Sequence, residues 1–198
     1  VDHVRKEYGG LDDFDADQIK VISRIGGAQA QSELVSGVVM DKQPVSESMP
    51  RKVDGGIALL SSTVDVPKFG SETGRLPMEL SIRPDSFEDR AAIGDREREA
   101  FRETLEAAVE AGCQFIATEG AVNDRIKSTL ANHGILAIHR VDHEDLVRIA
   151  RATGARIVPD LTHVDESSLG TGTVGLRRRA GRDMTYVEGS TAEPVFTL

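Results

Sequence analysis

The chain has 198 residues, of which 39% are hydrophobic, and this is enough to bury one sizeable core. Its formal charge of -9 disfavours a general nucleic-acid binder, because phosphate contacts require a net basic face. The single cysteine excludes an internal disulfide and a multi-thiolate metal site, and neither a signal peptide nor a membrane-spanning apolar run is present, so we expect a cytoplasmic protein.

The first half of the chain predicts short strands separated by long connections. A strand is expected around residues 19–25, and two apolar runs at 37–40 and 57–61 are typical of strands buried on both faces. Residues 44–50 predict a polar loop. The segment 67–94 is rich in glycine and proline but keeps interleaved apolar residues, which favours a functional excursion over an idle connection.

The second half repeats an amphipathic helix, a glycine and a short apolar strand three times. The helices are expected to begin at Asp95, to span residues 121–133, and to begin after Asp142. Each ends at a glycine, and the inward residues are Phe101, Leu105, Ala108, Val109, Val122, Ile126, Thr129, Leu130, His133, Leu146, Ile149, Ala150 and Thr153. Such alternation predicts neighbouring parallel strands and an α/β fold.

The end of the chain predicts antiparallel strands that close the sheet. Three extended runs are expected at residues 172–178, 184–187 and 195–198, with a turn at 181–183 between the first two. The predicted architecture is therefore an α/β domain with a parallel or mixed sheet core, flanking helices and antiparallel closing strands.

Several segments resemble the apical domain of group II chaperonins, the family of thermosome and TRiC/CCT subunits. The pair Gly26-Gly27 precedes a stretch that follows the family's Ser-x-Leu-x-x-Gly-x-x-x-Asp-Lys pattern from Ser32 to Lys42. Further matches keep the family's order at residues 49–51, 57–60, 131–138, 140–141, 150–158 and 186–189. Each motif is weak alone, but their common order makes the resemblance specific.

The resemblance implies an apical domain that binds unfolded polypeptides in an ATP-dependent folding machine. It implies an intermediate-domain segment and hinge at residues 1–27, the apical domain at 28–189 with a helical protrusion or lid at 67–100, and a return strand at 190–198. The family's ATPase motifs do not occur here, so the chain is expected to be non-catalytic and without a cofactor, whereas the full-length protein would bind ATP and Mg. Its partners would be non-native clients and the other subunits of a double ring, and the isolated chain is expected to be monomeric.

The same resemblance implies roles for particular side chains. In the family, a helix and a nearby loop form a shallow groove for clients, and the matching helix is 121–133. Its residues off the apolar stripe are the candidate client contacts, namely Asn123, Arg125, Lys127, Ser128 and Asn132. The lid candidates are Met78, Leu80, Phe87 and Ile93, and Gly26 and Gly27 form the candidate hinge, since glycine tolerates backbone rotation.

Other interpretations of these patterns remain open. The three helix-strand repeats also suit a small α/β nucleotide-binding protein or enzyme, although the loops at 118–120, 139–142 and 159–162 lack a phosphate-binding pattern. His139 and His143 are four apart but span a strand end and a helix start, which disfavours a zinc pair. Arg177, Arg178 and Arg179 alternate along a predicted strand and are not expected to form one compact phosphate-binding patch. An acid-rich, lysine-poor surface, with 18 Arg against 6 Lys, suggests a haloarchaeal source.

Overall fold

A computed structural model describes residues 19–22, 34–66, 87–179, 181–190 and 195–197. The strands are β1 (Ile19–Lys20), β2 (Val35–Ser36), β3 (Val38–Met40), β4 (Lys52–Leu60), β5 (Cys113–Thr118), β6 (Leu136–Ile138), β7 (Ile157–Val158), β8 (Gly170–Arg179), β9 (Arg182–Gly189) and β10 (Phe196–Thr197). The helices are α1 (Phe87–Glu110), α2 (Asp124–Asn132) and α3 (His143–Thr153), and a short 3₁₀ helix covers Leu161–His163. The predicted α/β class is confirmed.

The larger sheet is mixed and has seven strands. Its order is β3-β9-β8-β4-β5-β6, and β7 pairs with the end of β4. The strands β4, β5, β6 and β7 run parallel to one another, as the helix-strand repeats predict. The strands β3, β9 and β8 are antiparallel, and β8 joins this half to β4 by a further antiparallel pairing. Strand β9 returns from β8 after Gly181, whose φ of 83° belongs to the left-handed region that glycine tolerates.

The core fills both faces of this sheet. The largest fully buried side chains include Phe115, Ile57 and Leu136 from the strands and Leu105 and Leu130 from the helices. Cys113 also belongs to this core at 2% exposure, and burial raises the pKa of its thiol to about 12. A separate small cluster of Val39, Met184 and Tyr186 lies under the half-buried Ile22 and Val35.

A smaller sheet of three strands stands beside the larger one, in the order β1-β10-β2. Strand β10 pairs parallel to β1 and antiparallel to β2, so that Lys20 lies opposite Thr197. Strands β2 and β3 belong to different sheets but are separated only by Gly37, whose φ is 132°. A Cβ at this position would lie 2.3 Å from the carbonyl oxygen of Val187, so the passage between the sheets requires glycine.

Helix α1 begins earlier than the sequence predicts. Asp95 was expected to cap it, but the helix starts at Phe87 and runs through Gly94 and Asp95. Ion pairs one turn apart support the exposed part, linking Asp95 to Arg98 and Arg102 to both Glu99 and Glu106. Such pairs offset the low helix propensity of a glycine. The predicted inner face is confirmed, since Phe101, Leu105 and Ala108 are buried.

The long helix exceeds the strand on which it packs. At 1.5 Å per residue the 24 residues of α1 span about 36 Å, whereas the six residues of β5 cover about 20 Å. No side chain between residues 94 and 100 is buried, and burial begins at Phe101.

Among the described residues, no helix is long and apolar enough to cross a membrane.

Candidate functional site

Helix α2 is shorter at its start than the predicted span of 121–133, because the residues before it are held extended. Val122 forms an isolated parallel bridge with Val64, and Asn123 caps the helix. The Oδ1 atom of Asn123 accepts from the backbone N–H of Arg125 at 2.9 Å, and its Nδ2 atom donates to Asp65 Oδ1 at 2.5 Å. Asn123 is a predicted contact residue, but both ends of its amide are already bonded within the protein, so it fixes the position of the helix.

The remaining predicted contact residues, Arg125, Lys127, Ser128 and Asn132, differ in exposure. Arg125, Ser128 and Asn132 are exposed, on the side of the helix away from the buried Ile126 and Leu130. These three exposed residues lie at i, i+3 and i+7, so they share one face of the helix, and we call them the polar stripe. Lys127 is only 27% exposed, and its Nζ atom lies 2.6 Å from Asp124 Oδ1. This neighbour lowers the pKa of Asp124 through a hydrogen bond.

A flanking loop, residues 61–66, is bonded to the start of α2. The N–H of Val64 donates to the carbonyl of Ala121 at 2.9 Å, and the N–H of Asn123 donates to the carbonyl of Val64 at 3.0 Å. The Val64 side chain is 3% exposed and belongs to the main core. Helix α2 and this loop are therefore held together by backbone hydrogen bonds and by a shared core side chain.

The carboxyl edge of the parallel strands, where an α/β enzyme would bind a ligand, is closed by the chain itself. Backbone N–H groups of its loops donate to oxygen atoms of neighbouring loops and strand ends, at N···O distances of 3.0 to 3.2 Å. The donors are Ser61, Ser62, Glu119, Gly120, Arg140 and Val141. A Cβ at Gly120 would lie 2.4 Å from the backbone nitrogen of Thr63. These amides are not available to cradle a phosphate, which disfavours the nucleotide-binding alternative.

His139 follows β6 next to this edge, and its Nδ1 atom is buried without a hydrogen-bond partner. Burial lowers the pKa of His139, and the positive charges of Arg140, Lys127 and Lys42 lower it further. Three cations near one imidazole make its protonation unfavourable in the folded state. Among the described residues, no group of three His, Cys, Asp or Glu side chains is arranged to hold a metal ion.

The lowered pKa of His139 predicts acid sensitivity. Because the folded-state pKa lies below the ordinary value of 6.5, the unfolded chain takes up the proton more readily. Above pH 6.5 the imidazole is neutral in both states, and its titration does not change the free energy of unfolding. As the pH falls from 6.5 through the folded-state pKa, we expect the titration of His139 to lower the free energy of unfolding. Chemical denaturation of the wild type and His139→Gln at about pH 7.5 and about pH 5.5 measures this. An identical loss of stability in both proteins would contradict it.

The β8-β9 hairpin brings together arginines that the sequence separates. Arg177, Arg178 and Arg179 alternate along β8 as predicted, but Arg179 lies opposite Arg182 of β9 in the ladder. Arg177 and Arg179 project from one face of the sheet, and cross-strand pairing adds Arg182 to it. The three arginines of β8 therefore alternate between the two faces as expected, and Arg182 is an addition that the sequence analysis did not consider. Arg177 also lies 4.5 Å above the ring of Tyr186 and 2.7 Å from Glu188.

Some predicted functional residues lie beyond the part of the chain that the structure describes. Gly26, Gly27, Met78 and Leu80 are outside the described residues, and Phe87 and Ile93 are described only through the backbone of α1. The hinge and lid contacts therefore stay predictions.

Comparison with known proteins gives consistent matches over the whole chain. The family model described as the TCP-1/cpn60 chaperonin family matches residues 1–198. The chain is 36% identical over 200 residues to thermosome subunit 3 of Haloferax volcanii, covering 100% of this chain and 36% of that relative. It is 35% identical over 200 residues to the thermosome subunit of Methanopyrus kandleri, covering 100% of this chain and 35% of the relative.

A solved structure agrees with this result. It is the open-state monomer of a group II chaperonin from Methanococcoides burtonii, with a TM-score of 0.70 and 27% sequence identity. The match covers 91% of this chain and 37% of that monomer. The chain thus spans about a third of the length of the proteins it resembles.

Proposed function

Because the chain belongs to the TCP-1/cpn60 chaperonin family, we propose that it is the part of a group II chaperonin subunit that holds non-native polypeptides. The observation that carries this proposal is the polar stripe of Arg125, Ser128 and Asn132, exposed on a helix whose opposite face is buried. A mixed polar surface binds many sequences weakly, which suits a protein that must release its clients.

The rigid setting of the polar stripe supports a binding role. The cap at Asn123 and the bonds between α2 and the flanking loop hold the helix before a client arrives. Binding then requires little ordering of the protein itself, so less of the interaction free energy is lost on association. We propose that the groove between α2 and the flanking loop receives an extended client segment.

Helix α1 supports the second part of the proposal, a built-in lid. Its first half extends past the strand on which it packs, and none of its side chains from 94 to 100 is buried in the core. We assign this half, together with residues 67–86, to the lid. Phe87 and Ile93 of the helix and Met78 and Leu80 before it are the proposed contacts with other lids or with clients.

The activity of a complete subunit belongs to the same proposal. We place ATP hydrolysis and the associated Mg in other parts of such a subunit, and the described chain supplies binding without catalysis. A double ring of subunits in the cytoplasm is the proposed assembly. Residues 1–27 and 190–198 would connect the binding domain to its support, with Gly26 and Gly27 as the hinge.

The test is the affinity of the chain for a chemically unfolded protein without nucleotide. Truncating an interface anchor costs about 1 kcal/mol, so we expect Arg125→Ala/Asn132→Ala to bind about fivefold more weakly, as measured by fluorescence anisotropy. The variant should also suppress aggregation less. Arg156→Ala/Arg178→Ala is the matched control, since it removes two exposed side chains that lie away from α2 and should bind like the wild type. Equal affinity of both variants would remove α2 from the proposed site.

A further inference from the structure

Asp145 is a buried carboxylate in the first turn of α3, with 5% of its surface exposed. It has two cationic partners. The Nζ atom of Lys20 lies 2.6 Å from Oδ2, and the NH1 atom of Arg148 lies 3.1 Å from Oδ1. Each carboxylate oxygen is thus paired with a different cation. The two partners compensate the buried charge, whereas removal of a partner would leave it uncompensated and is strongly unfavourable.

The two cations come from different parts of the molecule. Arg148 is on the same helix as Asp145, three residues later, whereas Lys20 belongs to β1 of the small sheet and is 125 residues away. The side chain of Lys20 is 18% exposed, so its ammonium group is largely withdrawn from water. The pair therefore links the small sheet to a helix that packs on the larger sheet.

Other links between the two sheets lie along β3 and β10. The hydroxyl of Thr197 donates to the carbonyl of Gly37 at 2.9 Å and accepts from the N–H of Val39 at 3.1 Å. The N–H of Gly37 donates to the carbonyl of Val195 at 2.7 Å. These bonds are close in space to the connection at Gly37. For strand β1, the charged link to the body among the described residues is the pair of Lys20 with Asp145.

We propose that Lys20, Asp145 and Arg148 form an ionic latch between the small sheet and helix α3. With the latch closed, Asp145 is shared by Lys20 and Arg148. When β1 moves away, Arg148 remains one helical turn from Asp145 and keeps the carboxylate paired, so opening does not leave an isolated buried charge. Lys20 regains its hydration. The second cation makes the latch reversible, and a movable link is useful where a binding domain must tilt on its support.

The ionic contact between Lys20 and Asp145 does not depend on the proposed function, whereas a role for it in tilting of the binding domain rests on that function. Hydrogen exchange measured by mass spectrometry on the 198-residue chain separates the two. A hydrogen bond to a charged group is strong enough that Lys20→Met should speed exchange of the amides of residues 19–22 by about tenfold. The amides of β4 and β5 should keep their wild-type rates.

Lys52→Met is the matched control, because Lys52 is an exposed lysine on a strand of the other sheet, and it should leave residues 19–22 unchanged. Adding Asp145→Asn to Lys20→Met should cause little further acceleration at residues 19–22 if the two side chains act together. The latch is refuted if Lys20→Met exchanges like the wild type, or if exchange accelerates equally in β4 and β5. Since this readout involves no client, it stands or falls independently of the affinity measured for the polar stripe.

Discussion

Replacing Gly189 by alanine is expected to lower the free energy of unfolding by about 3 kcal/mol, at the upper end of the usual range for overpacking. A Cβ at this position, the last residue of β9, would lie 1.7 Å from the carbonyl oxygen of Ala152 and 2.3 Å from its carbonyl carbon. Both atoms belong to the backbone of α3, so no side-chain rotation relieves the clash. Helix α3 would have to move away from β9, against which it packs.

Gly175 of β8 provides the control for this substitution. A Cβ there would meet no heavy atom within 4 Å, so Gly175→Ala should gain about 0.5 kcal/mol by restricting the unfolded chain. Urea denaturation of the two variants and the wild type measures both effects. The close approach of α3 to β9 would be disproved if Gly189→Ala were as stable as Gly175→Ala.

Replacing Leu130 by alanine is expected to lower the free energy of unfolding by about 3 kcal/mol, because the deletion of a buried leucine leaves a cavity. Leu130 is fully buried and is, with Ile126, a residue that seats α2 on the core. The loss combines the transfer free energy of the deleted atoms with the incomplete collapse of the surroundings. The same denaturation experiment measures it.

Ser128 of the polar stripe is the matched control within the same helix. It is exposed, and alanine is the better helix former, so Ser128→Ala should change the stability by no more than about 0.5 kcal/mol. If Leu130→Ala lowered the free energy of unfolding no more than Ser128→Ala, Leu130 would not pack in the core as described. Both variants retain the cap at Asn123, so the comparison isolates the packing of the buried face.

The sequence predicts the parallel half of the fold well because its signals are local. Gly112, Gly134 and Gly154 follow the three helices with φ values of 96°, 71° and 77°, a conformation that disfavours a Cβ. The apolar spacing of the helices likewise predicts Leu105, Leu130 and Leu146 as core residues, and all three are fully buried. A helix repeat and a terminating glycine can be read without knowing the rest of the molecule.

The one wrong boundary and the contacts that the sequence analysis missed arise where a distant or competing interaction decides the outcome. Gly94 and Asp95 carry the local signals of a helix boundary, but a series of ion pairs supports the helix that continues through them. Arg182 joins Arg179 only through cross-strand pairing, so knowledge of the hairpin register was needed to find it. Lys20 and Asp145 are 125 residues apart, and no spacing in the sequence indicates their contact.

The exposed face of α2 was predicted correctly, whereas the partners of its polar side chains were not predicted. Amphipathic spacing separates the outer face of α2 from its inner face, and the structure confirms that Arg125, Ser128 and Asn132 are exposed. The apolar spacing alone does not show that Asn123 bonds to Asp65 or that Lys127 pairs with Asp124. Asp65 belongs to the flanking loop, whose position the sequence does not indicate, whereas Asp124 lies three residues before Lys127 on the same helix.

The length of helix α1 has a mechanical consequence. Phe101, Leu105 and Ala108 anchor the second half of the helix, so the first half follows every rotation of the core as a stiff lever. From Phe101 to Phe87 this lever is about 21 Å long, so a rotation of about 10° displaces its tip by about 4 Å. A slight reorientation at the base is thereby converted into a travel of several ångströms at the other extreme.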